Sequence, residues 1–405
     1  MPFPCGGVRA PFAIVRLNED GSLDTEFGGK GTGYVEIALE GVYISFVWEL
    51  SGLSDGGWLV LGQYEFTDNS DVGGLVLVRQ HKDGRLDESF AEKGVRFIPY
   101  LDMGRPGDVG VRAVGRVDKT PSAENLQVAN NTGPSAVQQV DGKIVLVSNT
   151  MTDSGQKGIV LRFNSDGSTD YTFNEVGFVI VELEGILYDW NSCKSVAVQR
   201  DGKVLVCGMY VRQNPETVGA FVTRFDAMGR LDASFNGGTV TVRQSSLIDL
   251  TAITVRETDG RVVAVGRAFR DQVSHGLIVV LTAGGFFDFS FNRGQPLFSQ
   301  LVPQGLTWER CALQADGSIL VAGNTGRGFV TEELTAVTAR FHSDGSLDPT
   351  FNGSGFTVFD EYEGFEAMEN MALMTDGRIV VCGVIWIDAE PWPYMDGGWV
   401  VRYLA

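Results

Sequence analysis

Short runs with an apolar residue at every second position occur along the whole chain, and Asp-Gly pairs separate many of them. The segments KVLVCG at 203–208 and GAFVTRF at 219–225 are representative. Alternation at period two is typical of β-strands, and Asp-Gly supplies the positive φ that tight hairpin turns need. Because no segment sustains a helical period over ten residues, the chain is predicted to be all-β.

Two motifs repeat with a period of about 60 residues, and their copies alternate. The first, an Arg-containing strand followed by a turn and LDxxF, occurs at 15–27, 78–90, 161–173, 223–235, 280–291 and 339–351. The second, a turn followed by an apolar strand, occurs at 53–62, 139–149, 199–208, 257–266, 314–323 and 374–383. Each unit therefore offers four short strands, which predicts a β-propeller.

The two motifs together resemble the delta-sixty repeat, a bacterial repeat of propeller type. The resemblance rests on AVQxDGKIxVxG followed by RFNxDGSLDxxFNGxG and covers nearly the whole chain. It implies a propeller fold and implies no reaction. The chain departs from the repeat at Leu53, where Gln is usual, at Gly284-Gly285 in place of Asp-Gly, and at Phe287 in place of Leu.

We predict a single domain, residues 1–405, with six blades of four antiparallel strands. The chain ends with three strands of a blade, the last at 399–404, whereas 33–39 has the pattern of a fourth strand. We therefore expect 33–39 to complete the last blade as a velcro closure, which removes an open sheet edge. The strand predicted at 12–17 is then left without a place, and seven blades are the alternative.

The Asp-Gly turns of both motifs must share one face of the propeller, because antiparallel strands alternate in direction. The other two loop classes lie on the opposite face and hold the variable sequence, so that face is the expected functional surface. An insertion at 101–135 belongs to it and contains Arg105 and Arg112. We interpret this insertion either as a functional contact loop or as a surface loop without a functional role.

The loops of the last blade, 359–370 and 384–398, contain eight acidic residues and no Lys or Arg. Acidic groups beside aromatic rings suit a cationic or saccharide ligand or a basic protein partner. The alternative is an acidic rim whose Trp side chains pack between blades. The candidate binding residues are Tyr362, Phe365, Glu366, Trp386, Asp388, Trp392 and Tyr394.

No metal or other cofactor is expected, with Ca²⁺ as the possible exception. Acid-Gly pairs recur at Glu40, Glu184 and Glu363, at the ends of equivalent strands. They would converge on a Ca²⁺ ion only if those strands were central, whereas the predicted closure makes them outermost.

Catalytic motifs such as GxSxG, HExxH and the Walker loop are absent from the sequence. The main hypothesis is therefore a non-enzymatic propeller that binds a protein partner or small ligand through its variable loops. The alternative is a hydrolase or lyase with a carboxylate-lined pocket. Its candidate acid–base residues are Glu184, Asp189, His275, Glu309, Glu366 and Glu369.

A net charge of −19 argues against nucleic acid as a partner, because phosphate binding needs a basic surface. The five cysteines form no CxxC pair, and Cys207 and Cys382 stand where a sister segment has Ala. They are expected to be buried in a protein from a reducing compartment. With no long apolar run and no Sec signal pattern, we expect a monomer without a membrane span that is cytoplasmic or exported by another route.

Overall fold

The computed structural model describes residues 12–67, 72–105, 133–214, 216–244, 246–326, 334–361, 364–389 and 394–404. These residues form 25 β-strands, whose sheet pairings are antiparallel, and short 3-10 turns at Phe27–Gly29, Tyr100–Asp102 and Asn292–Gly294. No α-helix occurs in this part of the chain. The all-β prediction is confirmed.

The strands form six blades and one two-stranded sheet, in chain order. The small sheet contains β1 (Phe12–Val15) and β2 (Tyr34–Ile37). The first two blades contain β3 (Val42–Gly52), β4 (Trp58–Phe66), β5 (Gly74–Gln80) and β6 (Val95–Pro99), then β7 (Ser135–Gln138), β8 (Ile144–Thr152), β9 (Gly155–Phe163) and β10 (Phe178–Ile180). The third and fourth contain β11 (Trp190–Val198), β12 (Val204–Gln213), β13 (Glu216–Phe225) and β14 (Thr239–Gln244), then β15 (Ile248–Val255), β16 (Val262–Arg270), β17 (Val273–Leu281) and β18 (Leu297–Ser299). The last two contain β19 (Leu306–Leu313), β20 (Ile319–Thr325), β21 (Ala336–Phe341) and β22 (Phe356–Phe359), then β23 (Phe365–Leu373), β24 (Ile379–Ile387) and β25 (Tyr394–Tyr403). The predicted six-bladed propeller fold is confirmed.

The expected closure by residues 33–39 needs correction. Strand β2 pairs with β1, with Ile14 opposite Val35, so the strand that had no predicted place is the partner of β2. The sixth blade consequently has three strands among the described residues. Strands β1 and β2 are close in sequence, so pairing them closes a short loop at a small entropy cost. Their apolar side chains Ile14 and Ile37 pack with Phe27 in one buried cluster.

The chain divides into two compact units. Unit 1 contains Met1–Thr120, Ser135–Leu146 and Leu161–Val179, and unit 2 contains Pro121–Pro134, Val147–Val160 and Ile180–Ala405. Within unit 2 the apolar core lies between consecutive blades. Leu205 packs in one cluster with Val279, Val265 with Val321, and Leu320 with Val381.

The repeated Arg and LDxxF residues of the first motif form what we call the Arg-Asp-Phe latch. In the third blade Arg224 Nε lies 2.9 Å from Asp232 Oδ2, and the guanidinium stacks 4.6 Å from the Phe235 ring centroid. The same arrangement occurs at Arg16/Asp24/Phe27, Arg79/Asp87/Phe90, Arg162/Asp170/Phe173 and Arg340/Asp348/Phe351.

The latch also connects consecutive blades. Arg224 Nη1 donates to Ala283 O of the fourth blade at 2.7 Å, and Arg79 Nη1 donates to Ser165 O of the second blade at 2.6 Å. A Cβ on Gly285, which has φ +80°, would lie 2.9 Å from the Phe235 ring. The glycine of the turn is therefore needed both for its backbone conformation and for close contact with the preceding blade.

The fourth blade keeps this contact with a different residue. Its third strand has Val280 at the latch position, where the other copies have Arg. Arg261, from the second motif, instead lies 2.9 Å from Asp288 and donates to Ser343 O of the next blade at 2.8 Å. The near-constant turns are thus scaffold, as the sequence indicates.

Candidate functional site

The first strands of the last four blades each contain a β-bulge at an equivalent position. The register shifts between Cys193 and Ser195, Leu250 and Ala252, Trp308 and Arg310, and Met368 and Asn370. The inserted residues are Lys194, Thr251, Glu309 and Glu369. A bulge leaves one residue outside the hydrogen-bond ladder and changes the direction of its side chain, and bulges are common beside functional sites.

The glycine that ends most copies of the second motif makes this bulge possible. A Cβ added to Gly208, Gly323 or Gly383 would lie 1.9 Å from a carbonyl oxygen of the facing first strand, and one at Gly266 would lie 2.0 Å away. A side chain at these positions cannot be accommodated beside the bulged backbone. The motif therefore encodes the bulge as well as the hairpin.

Six charged side chains gather around these bulges, and we call them the first-strand cluster. They are Lys194, Asp249, Arg267, Glu309, Arg310 and Glu369. Arg267 follows Gly266 in β16 and faces Asp249 of β15 in the strand register. The four first strands β11, β15, β19 and β23 contact one another in sequence, so the cluster spans the four blades.

Burial raises the pKa of every acid in the cluster. The pKa of Glu309 rises to about 7, because burial and the charges of Asp249 and Glu369 outweigh the opposing effects of Arg310 and Arg267. Burial likewise raises the pKa of Asp249 against the charges of Lys194 and Arg267, and that of Glu369 against Arg310. Raised carboxyl pKa values are typical of desolvated sites whose charges lack direct partners.

The cluster is short of direct partners. Asp249 is 1% exposed and its Oδ1 accepts no hydrogen bond, and Glu309 Oε2 is also buried without one. Arg310 Nε donates to Asn370 Oδ1 at 3.1 Å and its Nη1 to Glu309 O at 2.9 Å. Within the part of the chain that the structure describes, no salt bridge joins an acid of the cluster to a base.

The predicted acid–base candidates separate into three groups. Glu309 and Glu369 are brought together in the cluster. Glu366 is fully buried at the start of β23, where its Oε1 accepts a hydrogen bond from Glu361 N at 3.1 Å. The remaining three lie elsewhere: Glu184 and Asp189 are exposed between β10 and β11, and His275 is half-buried in β17 opposite Ala268.

Four residues of the cluster were not predicted from the sequence: Lys194, Asp249, Arg267 and Arg310. The available signal was a charged residue within a short strand that is otherwise apolar. This signal alone could not predict the cluster, because a strand's position within its blade and the presence of a bulge depend on contacts between blades.

The predicted binding residues of the last blade form a second region, which we call the last-blade surface. Phe365 is paired with Trp386, Trp386 with Met395, and Ile387 with Tyr394. Tyr394 is 50% exposed and Met395 52%, and Asp388 is exposed beside them. The acids Asp360, Glu361 and Asp396 are exposed in the same loops and strand.

Other predicted residues do not add to this surface. Tyr362, Trp392 and Arg112 lie outside the described residues, as does Glu363, and Arg105 is the exposed last residue of a described range. Trp399 is buried and stacks on Phe359 of the fifth blade, with ring centroids 4.5 Å apart. For this Trp, the alternative of packing between blades is correct.

No group of three or more His, Cys, Asp or Glu residues with the geometry of a metal site occurs among the described residues. Burial raises the pKa of the Cys193 and Cys207 thiols, and that of Cys311 to about 12. Raised thiol pKa values of this kind are typical of structural rather than catalytic cysteines. The described residues form no helix with the length and apolarity needed to cross a membrane.

The fold and its repeated turns define a six-bladed β-propeller. The family model described as domain of unknown function (DUF5122) beta-propeller matches residues 12–27, 139–173, 199–235 and 314–351, which are copies of the two motifs. No curated protein sequence gives a significant match to the chain.

Solved structures with a similar fold are remote in sequence. Polysaccharide lyase Uly1 matches at 12% identity over 84% of this chain and 74% of its own, with a TM-score of 0.43. Drosophila Semaphorin 2a matches at 8% identity over 97% and 73%, with a TM-score of 0.45. A glucose dehydrogenase matches at 10% identity over 89% and 97%, with a TM-score of 0.42. At these values the similarity carries no argument about function.

Proposed function

We propose that the chain is a non-enzymatic binding propeller whose last-blade surface contacts a cationic segment of a partner. The observation that carries this proposal is the exposure of Tyr394 and Met395 beside acidic groups. Exposed aromatic and Met side chains are enriched in binding surfaces and depleted elsewhere.

The charge of the surface favours a basic partner. Asp360, Glu361, Asp388 and Asp396 are exposed, and the loops 359–370 and 384–398 contain no Lys or Arg. Lys and Arg side chains bind to aromatic faces as well as to carboxylates, so one basic segment can use both kinds of group. Electrostatic attraction at such a surface accelerates association and gives it a strong salt dependence.

A decalysine peptide is a suitable probe, with binding measured by titration calorimetry at low and high salt. The double variant Trp386→Ala/Tyr394→Ala keeps all the charges and is expected to weaken binding at least tenfold. Tyr171→Ala is the matched control, because Tyr171 is 51% exposed but belongs to a turn of unit 1. Equal affinity of the double variant and the wild type would show that the peptide binds only through net charge, which contradicts the proposal.

A second candidate function, acid–base catalysis by a hydrolase or lyase, is supported by one observation. Glu309 has a pKa of about 7 and lies close enough to Glu369 for their charges to interact. A carboxyl group that titrates near neutral pH is suited to act as a general acid. Turnover lost in Glu309→Gln and retained in Glu184→Gln would favour this function over binding alone.

A further inference from the structure

Arg267 differs from the buried arginines of the latch, which have a carboxylate partner. Arg162 and Arg224 are 4% and 5% exposed, and each forms an ion pair with a latch aspartate. Arg267 is 8% exposed and has no ion pair among the described residues. Asp249 opposite it is buried with an unbonded oxygen.

The cluster therefore contains both unused donors and unused acceptors. Lys194 and Arg267 carry positive charges without a bonded carboxylate, while Asp249 Oδ1 and Glu309 Oε2 accept no hydrogen bond in the described structure. Burying the oxygens of Asp249 and Glu309 is unfavourable unless something donates hydrogen bonds to them. A molecule with both an anionic group and hydrogen-bond donors would complement the cluster. Its anionic group would bind the two basic side chains, and its donors would bind the two buried oxygens.

We propose that Lys194, Asp249, Arg267 and Glu309 form a binding site for a small carboxylate that carries a hydroxyl or ammonium group beside its carboxyl group. The guanidinium of Arg267 and the ammonium of Lys194 bind the ligand carboxylate. Asp249 Oδ1 and Glu309 Oε2 accept hydrogen bonds from the neighbouring hydroxyl or ammonium group. Arg267 suits a carboxylate because its planar donor pair matches both oxygens.

The composition of the cluster argues against other ligand classes. A divalent cation prefers oxygen ligands, and here three bases accompany three acids. A phosphate dianion would be repelled by Asp249, Glu309 and Glu369 unless they were protonated. A monocarboxylate with a donor group complements both signs of charge at once.

The test uses L-glycerate and L-serine, which have the same configuration and differ only in the hydroxyl or ammonium group at C2, and glycerol, which lacks the carboxylate. Binding to the full chain is measured by titration calorimetry. At least one of the two carboxylates is expected to bind, and glycerol at least tenfold more weakly. If only serine binds, the hydrogen-bond donor of the ligand is an ammonium group. If only glycerate binds, the donor is a hydroxyl group. Both outcomes support the site. Absence of binding by both carboxylates, or equal binding of glycerol, overturns the proposal.

Variants locate the binding. Arg267→Met and Asp249→Asn are each expected to weaken carboxylate binding at least tenfold, and Arg230→Ala, at an exposed locally paired arginine, leaves it unchanged. If Arg267→Met does not fold, Lys194→Met and Asp249→Asn still test the site. Unchanged affinity in all folded cluster variants overturns it. The last-blade double variant is expected to bind the carboxylate normally, so this site and the proposed function fail independently.

Discussion

The Arg-Asp-Phe latch and the first-strand cluster use the same chemical groups in opposite ways. In the latch, Arg and Asp form an ion pair, and the aspartate also accepts hydrogen bonds from a Ser or Thr two residues later. Burial alone would raise the pKa of Asp87, Asp170, Asp232 and Asp348, but these bonds and the Arg charge lower it. In the cluster, burial raises the pKa values of Asp249, Glu309 and Glu369, and direct pairs are missing.

The difference separates scaffold from candidate site. A lowered carboxyl pKa means that the folded state stabilises the charge, so the latch contributes to stability. A raised pKa means that folding is opposed by the charge of the carboxylate, and desolvated carboxyl groups of this kind cluster at functional sites. The residues that recur from blade to blade are therefore those of the latch and its turns, whereas the first strands of individual blades carry different charged residues.

The largest effect is expected from removing the substitute latch of the fourth blade. Arg261→Ala leaves Asp288 without its ion pair and breaks the bond to Ser343 O, so about 3–5 kcal/mol of stability should be lost. Arg378→Ala is the matched control, because the identical TDGR segment at 375–378 includes an Arg378–Asp376 pair within one turn. Urea denaturation of both variants measures the difference. Similar losses would mean that the connection between blades has no special role.

The bulge glycines give the next largest effect. Gly266→Ala places a Cβ 2.0 Å from Asp249 O, so the bulge must shift, and we expect a loss of about 2–3 kcal/mol. Gly397→Ala is the control, because its Cβ meets nothing within 4 Å. Thermal unfolding of the two variants tests this. Equal melting temperatures would show that the second strand does not need glycine at this position.

The sequence predicts the fold well because the fold depends on local signals. Period-two alternation, Asp-Gly turns and LDxxF are all read within a few residues, and they locate the strands of every blade. Pairing of β1 with β2 was missed, since a fourth-strand pattern at 33–39 does not say which third strand it joins. The cluster was missed in part for a similar reason: Arg267 and Glu309 are far apart in sequence and meet only because β16 packs against β19.

Acid titration of the latch should have a smaller effect. Burial would raise the pKa of Asp170, but bonds from Thr172 and Lys143 and the charge of Arg162 lower it to about 2, from 3.8. The folded state thus binds fewer protons than the unfolded state at low pH. The stability that the Asp170 carboxylate contributes is therefore present above pH 4 and lost as the pH falls toward 2. We expect about 2 kcal/mol to be lost over that range. Asp170→Asn should flatten the pH dependence of unfolding there, and an unchanged slope would contradict the latch pKa.

An effect of opposite sign and at least similar size is expected at Glu309. Its pKa is raised from 4.5 to about 7, so the folded state binds more protons than the unfolded state, and stability falls as the pH rises from 4.5 to 7. Glu309→Gln removes this penalty. The variant should match the wild type near pH 4 and exceed its stability at pH 8 by about 3 kcal/mol. Glu184→Gln, at an exposed position, should show no such crossover in urea denaturation at the two pH values. A Glu309→Gln variant less stable than the wild type at pH 8 would mean that Glu309 is held by partners like a latch aspartate, and the contrast between the two regions would be lost.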